Sequence, residues 1–315
     1  MNVQKTLLGT AAIAGITLCP ATAMAASMVY SADLDTLNGD FGSTAKGAAT
    51  VTVDEPGENL RSIRVQIQAT GLEDVSSFGG VHVAHIHGQF AGNASRPLFD
   101  QGNGPFFEGT GGTPVSSVVP TLENDDADGD GYLNFIEGRP AYGPVVLNLT
   151  SKQLSKVTTA SGNTVGPVPS GTPPLSQFLG LVGAGEISPA DLFPTGSEFN
   201  LDTTYDFDLT DPDQARQFNN LSPLNLREVV LHGLTLPASI SDPIDAAVTE
   251  AGSGAPLGIP LSETERFRIT APVAAGTLKL VSDDGTADVP EPISMSLISA
   301  SLLVGALGLT RRRTA

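Results

Sequence analysis

The sequence predicts an all-β protein, a sandwich of short strands with long loop insertions. Three observations predict it. The chain holds 35 glycines and 23 prolines among 315 residues, a turn-rich composition foreign to a helical bundle. Aromatic residues are few and tryptophan is absent. The clearest apolar pattern has period two: Ile63, Val65 and Ile67 face one way and Arg64, Gln66 and Gln68 the other, as in a half-buried strand.

The chain begins with an export signal. Over residues 1–25, Lys5 gives the positive start, residues 7–18 the apolar core, and Ala23-Met24-Ala25 a small-residue cleavage site. The only cysteine, Cys19, follows that core within the N-terminal apolar run, so the mature chain has no disulfide framework. Residues 48–53 are rich in strand formers, residues 54–59 form a turn cluster, and residues 60–69 return as the alternating strand. After Gly71-Leu72 comes Val81-His82-Val83-Ala84-His85-Ile86-His87-Gly88, which carries three of the four histidines. Residues two apart share a strand face, so His85 and His87 project together and His82 faces away. The fourth, His232, lies in a second apolar run, Val229-Val230-Leu231-His232-Gly233. Imidazole is a common ligand for zinc and copper. Two rings on one strand plus one from a neighbour make a three-nitrogen site. The alternative is that the rings are simply packed and hydrogen-bonded.

Residues 91–143 are loop-rich, and within them lies Asp126-Ala127-Asp128-Gly129-Asp130-Gly131-Tyr132-Leu133-Asn134-Phe135-Ile136-Glu137. This matches an EF-hand-type calcium loop. Asp126, Asp128 and Asp130 supply carboxylates, Tyr132 its backbone carbonyl, Asn134 the water-mediated position and Glu137 a bidentate closure. Leu133 is expected to bury. Pro140 follows at once and is expected to block an exiting helix, which makes the loop a structural calcium staple rather than half of a switching helix pair. Strands are expected at residues 143–149, 205–209, 226–232, 267–270 and 273–280, with a turn and short helix over residues 211–218. Residues 151–200 are poorly periodic.

The net charge is −18. Such a surface repels nucleic acid and anionic lipid and favours cations. No Gly-x-Ser-x-Gly elbow frames a nucleophile, and no glycine-rich segment fits a phosphate loop.

At the other end, Val289-Pro290-Glu291-Pro292 precedes a largely apolar stretch over residues 293–309, followed by Arg311-Arg312-Arg313. The apolar stretch is just long enough to span a membrane, with the arginines on the cytoplasmic side. Together these parts, residues 289–315, resemble a PEP-CTERM sorting signal. That resemblance implies a bacterial product, a partner peptidase of the exosortase type, and a cell-surface or extracellular-matrix location reached through a transient membrane anchor.

Between the ends, residues 26–288 resemble a chordin-type (CHRD) domain. The carrying residues are Gly71-Leu72, His85-Ile86-His87-Gly88, Val229 to Gly233, Pro272-Val273-Ala274-Ala275-Gly276, and Pro140-Ala141-Tyr142-Gly143 after the acidic loop. The resemblance implies a Greek-key β-sandwich related to Cu/Zn superoxide dismutase. By motif, His85, His87 and His232 fall on copper-ligand positions of that enzyme. Three parts of the enzyme are missing. Only His82 is left for a bridging histidine and zinc loop, the disulfide is absent, and Pro272 stands where a substrate-guiding arginine is expected. The implied function is a non-enzymatic, calcium-binding surface or matrix protein, with copper or zinc at the histidines. A copper-dependent redox enzyme is the alternative.

Overall fold

The computed structural model describes residues 27–91, 113–151, 157–158, 164–165, 188–250 and 258–282. The expected export signal and C-terminal sorting segment lie outside the described residues. No helix among the described residues is long and apolar enough to cross a membrane.

The strands are β1 (Met28–Thr36), β2 (Lys46–Gly57), β3 (Leu60–Thr70), β4 (Val83–Phe90), β5 (Pro114–Val115), β6 (Val145–Leu149), β7 (Val157–Thr158), β8 (Thr164–Val165), β9 (Glu198–Asp208), β10 (Arg227–Pro237), β11 (Gly258–Pro260), β12 (Glu265–Thr277) and β13 (Lys279–Ser282). The helices are α1 (Leu122–Asp125), α2 (Phe135–Tyr142), α3 (Pro212–Leu221) and α4 (Ala238–Glu250). Eleven strands form one antiparallel sheet whose main path is β5-β4-β10-β12-β1-β2-β3-β9. The hinge of that path is β1. Residues 28–34 pair with β2, while Asp35 and Thr36 pair with β12. The sheet is therefore sandwich-like, and one apolar core joins both halves: Val51, Ile63, Val65, Ile67, Phe199 and Tyr205 from one side, Ile86, Leu147, Val229 and Leu231 from the other.

The alternation in β3 has the expected cause. Ile63, Val65 and Ile67 are fully buried, opposite Val53, Val51 and Ala49 of β2. The same pattern runs the length of β9, where Phe199, Leu201, Tyr205 and Phe207 point inward. Far from it in sequence, Tyr205 Oη donates to Thr150 O and accepts from Thr150 N, both at 3.0 Å, tying β9 to the end of β6.

Four expectations are corrected. The turn over residues 54–59 is tighter than expected, because β2 runs on to Gly57 and pairs with Leu60. The two segments around Pro272 are one continuous strand, β12, whose pairing with β10 shifts register at Leu231, His232 and Leu234. That irregularity absorbs the missing proline N–H. β1 and α4 were not expected at all. Finally, Pro140 does not block a helix after the acidic loop: α2 runs from Phe135 through it to Tyr142. A proline removes one i→i−4 bond. Here the remaining turns are held at both ends. Asn134 and Glu137 form a capping box at the start, and Gly143 N–H donates to Arg139 O at the end.

Candidate metal centre

Strands β4 and β10 pair so that His87 lies opposite Glu228, His85 opposite Val230, and Val83 opposite His232. Directly opposed residues share a face, so the three histidines project from one side of the sheet. The core residues Ala84, Ile86, Val229 and Leu231 project from the other. Ring centroids stand 5.1 Å apart for His85 and His232, 5.6 Å for His85 and His87, and 5.8 Å for His87 and His232. One nitrogen from each ring lies within 4.8 Å of the others.

The hydrogen bonds decide which nitrogens those can be. His87 Nδ1 is 2.9 Å from Gly143 O, and His232 Nδ1 is 3.1 Å from Thr270 O. A carbonyl only accepts, so each Nδ1 carries its proton and each Nε2 keeps a lone pair. Both Nε2 atoms are buried without a partner, and so is His85 Nδ1. Burial lowers all three pKa values, and repulsion between the rings adds to it at His85 and His87. His87 falls to about 3, His232 to about 4, and His85 well below its ordinary value. The imidazoles are therefore neutral at ordinary pH, which is the ligating form. Outer partners that fix ring and tautomer are the usual support of a metal-binding histidine.

His82 stands apart. Its Nε2 lies 2.8 Å from Glu73 O and its Nδ1 3.4 Å from His232 O, and its ring packs edge-on against Phe267. It braces the strand that carries His232 and does not join the other rings.

The cover of the centre comes from α2 and the turn after it. Phe135, Arg139, Tyr142 and Gly143 line the pocket with the histidines and Thr270. The Tyr142 ring sits 4.4 Å from that of His87. Gly143 adopts φ +82°, and a Cβ there would meet Gly88 O at 2.4 Å. Only glycine lets the chain come so close and turn its carbonyl to His87. The free space in this partly open pocket is ≈ 30 Å³, room for one or two waters.

The second group lies before α2. Carboxylate oxygens of Asp126, Asp128 and Asp130 come within 4.8 Å of one another. Gly129 and Gly131 take φ +74° and +80°, which lets the loop coil inward. The carboxylates are held by the loop's own backbone. Asp126 accepts from Gly129 N and Gly131 N, Asp128 from Asp130 N, and Asp130 from Tyr132 N. Glu137 is not gathered with these three. Its Oε1 accepts from Ala127 N at 2.9 Å and its Oε2 from Asn134 N at 3.1 Å. Asn134 in turn caps α2, accepting from Ile136 N and Glu137 N. Burial and the neighbouring acids raise the pKa of both Asp130 and Glu137. Leu133 is buried as expected, and so is Tyr132. Leu133 N–H donates to Asn38 Oδ1 at 2.8 Å, and Asn38 Nδ2 donates to Leu133 O and Pro272 O, each at 2.9 Å. One side-chain amide thus pins the loop to β12.

The sequence pattern did not reveal Arg139, Tyr142, Thr270 or Asn38. The first two have helical i, i+3 spacing, which Pro140 disguises. Asn38 lies before a glycine in a turn and adopts the left-handed conformation that asparagine tolerates. Thr270 carries no sequence signal. No family model, curated protein or solved structure matches the chain, so geometry and donor chemistry alone support a functional reading.

Proposed function

We propose that the protein is an exported, calcium-binding surface or matrix protein of CHRD type. In this reading a Greek-key sandwich carries a copper or zinc ion on His85, His87 and His232. One observation carries the metal assignment: three buried, partnerless ring nitrogens converge on one point. Each buried polar atom left unpaired costs about 1–3 kcal/mol, and a single ion would satisfy all three at once. The donor set, all imidazole, suits copper and zinc. Copper would supply one-electron chemistry and zinc Lewis acidity. His87 and His232 would be held in place by the carbonyls of Gly143 and Thr270.

Calcium is the ion for the 126–137 loop, because hard oxygen donors crowd there and Glu137 stands next to them. Asp126, Asp128, Asp130, the Tyr132 carbonyl, Asn134 and Glu137 would form that site. Export and surface retention follow from the two end segments, with an exosortase-type peptidase as the processing partner.

The leading reading is non-enzymatic, with both ions holding the insertion against the sheet. The rival, a copper-dependent redox enzyme, is favoured by one feature: the pocket leaves space beside the three nitrogens. Equilibrium titration with metal analysis tests the centre. The expected result is one copper or zinc per chain, lost in His87→Ala and kept in His82→Ala. Absence of stoichiometric binding would remove the centre from the proposal.

A further inference from the structure

The turn after α2 carries the carbonyl that orients His87, so whatever seats the end of that helix sets that histidine. The helix cannot seat itself. Its final carbonyls need donors from outside, and the residue four beyond Pro140 is Pro144, which has no N–H to give. Strand β4 supplies the donor. Gln89 lies two residues after His87, so both side chains project from the same side of the strand. It is buried, with 5% exposure. Its Nε2 donates to Pro140 O at 2.8 Å and to Arg139 O at 3.4 Å. Its Oε1 accepts from Phe90 N at 3.0 Å. Carbonyls only accept and a backbone N–H only donates, so these partners fix which end of the amide is which. The backbone N–H of Gln89 donates to Ser117 Oγ at 2.9 Å, which holds the residue by its main chain as well. Arg139 O also accepts from Gly143 N at 2.8 Å, and Gly88 N donates to Pro144 O at 3.0 Å. Gly143 O then reaches His87 Nδ1. A short chain of bonds thus runs from the Gln89 amide through the last turn of α2 to the His87 ring.

We propose that Gln89 is a positioning residue of the histidine centre. By holding the end of α2 on β4, it keeps Gly143 O against His87 Nδ1. His87 then stays in the tautomer protonated at Nδ1 and presents its Nε2 lone pair to the pocket. Gln89 itself acts only through α2 and ligates nothing. The purpose of this device rests on the three-histidine metal reading above, but the tautomer it sets belongs to the metal-free protein. The matching contact of His232, to Thr270 O, comes from β12 and does not pass through α2. The two histidines should therefore respond differently when the amide is lost.

Long-range proton–nitrogen correlation spectra of the metal-free protein at neutral pH test the inference, because they distinguish a ring protonated at Nδ1 from one protonated at Nε2. The chain has four histidines, and His87→Ala identifies the pattern that belongs to His87. In wild type, His87 and His232 should both be protonated at Nδ1. Gln89→Met keeps the length of the side chain and removes both donors. It should turn His87 into a mixture of tautomers and leave His232 unchanged. Zinc affinity, measured by chelator competition, should fall about tenfold, the lower end of the effect of losing an outer partner of a metal-bound histidine. One zinc should still bind at saturation. Asn38→Ala, which weakens a different clamp, should leave the His87 tautomer as in wild type. An unchanged His87 tautomer in Gln89→Met overturns the proposal, and so does an equal shift at His232 or in Asn38→Ala. Failure of wild type to bind zinc removes the metal reading, while the metal-free spectra still decide the role of Gln89. If Gln89→Met fails to fold, Gln89→Glu, which keeps the length and replaces the donor by an acceptor, is read in the same way.

Discussion

The 126–137 loop and the histidine pocket share α2, which starts at the loop's Asn134 and ends where Tyr142 and Gly143 meet His87. They differ in how their donors are prepared. In the pocket, backbone carbonyls take up Nδ1 of His87 and of His232, so each Nε2 stays without a partner. In the loop, the carboxylates are oriented by the loop's own N–H groups, and Glu137 completes the capping box of α2. An imidazole nitrogen has one lone pair to give and must be spared, whereas a carboxylate that accepts an N–H keeps acceptor sites for a cation. The difference reflects where each scaffold comes from. Sheet register holds the histidines from outside, while the loop holds itself.

The largest effect should come from the histidines. His87→Ala or His232→Ala removes one of three donors and should lower metal affinity by more than the 10–100-fold typical of losing only a supporting partner. Competition against a chelator of known affinity measures it. His82→Ala should leave the stoichiometry intact. Equal losses at all three positions would break the separation of His82 from the centre.

Acid should act on the pocket before the loop. The metal-free folded values of about 3 for His87 and about 4 for His232 lie below an unfolded value near 6.5. The unfolded chain then binds more protons as pH falls. Stability from these groups is complete above about pH 6.5 and is lost progressively toward pH 3–4. Urea midpoints of the metal-free protein at pH 7.5, 6 and 4.5 should fall in that order, and a saturating ion should flatten the fall. A flat profile without metal would contradict the burial of the rings.

Calcium should stabilise the protein through the loop by about 2.7 kcal/mol at a hundredfold excess over its Kd. Asp126→Ala and Glu137→Ala should both abolish that gain. They should differ without calcium. Glu137→Ala also removes the N3 half of the capping box of α2 while Asn134 keeps its own cap, and so should loosen the cover of the histidines. Thermal melts of each variant, with calcium and with chelator, separate the two contributions. Identical chelator melts would show that Glu137 has no capping role.

The smallest expected change tests the clamp between the regions. Asn38→Ala strands both backbone groups of Leu133, a cost of about 1–3 kcal/mol, while leaving every donor of both sites in place. Denaturant unfolding should show the loss, and histidine metal stoichiometry should not change.

Much of the framework was legible in the linear pattern, because its causes are local. Alternation marked β3 and part of β9, the His-x-His spacing placed His85 and His87 on one face, and the acidic dodecamer brought Asp126, Asp128 and Asp130 together. Pro140 misled because helix blocking is a local rule, and α2 survives through a capping box and a glycine closure that restore what the proline removes. Prolines cost one bond each, and two good ends offset that in a short helix.

By itself, the sequence determined the period-two strands, the acidic loop with its glycines at the required turns, and the pairing of His85 with His87. These depend on neighbours a few residues apart. Tertiary structure alone decided that His232 completes the cluster, that Gly143 and Thr270 set the tautomers, and that Arg139 and the Thr270 hydroxyl share the pocket. Those outcomes depend on the register between β4, β10 and β12 and on where α2 docks. Register is settled by packing across the whole sheet, where a one-residue slip would turn His232 away from its partners, and no local stretch of chain encodes that choice.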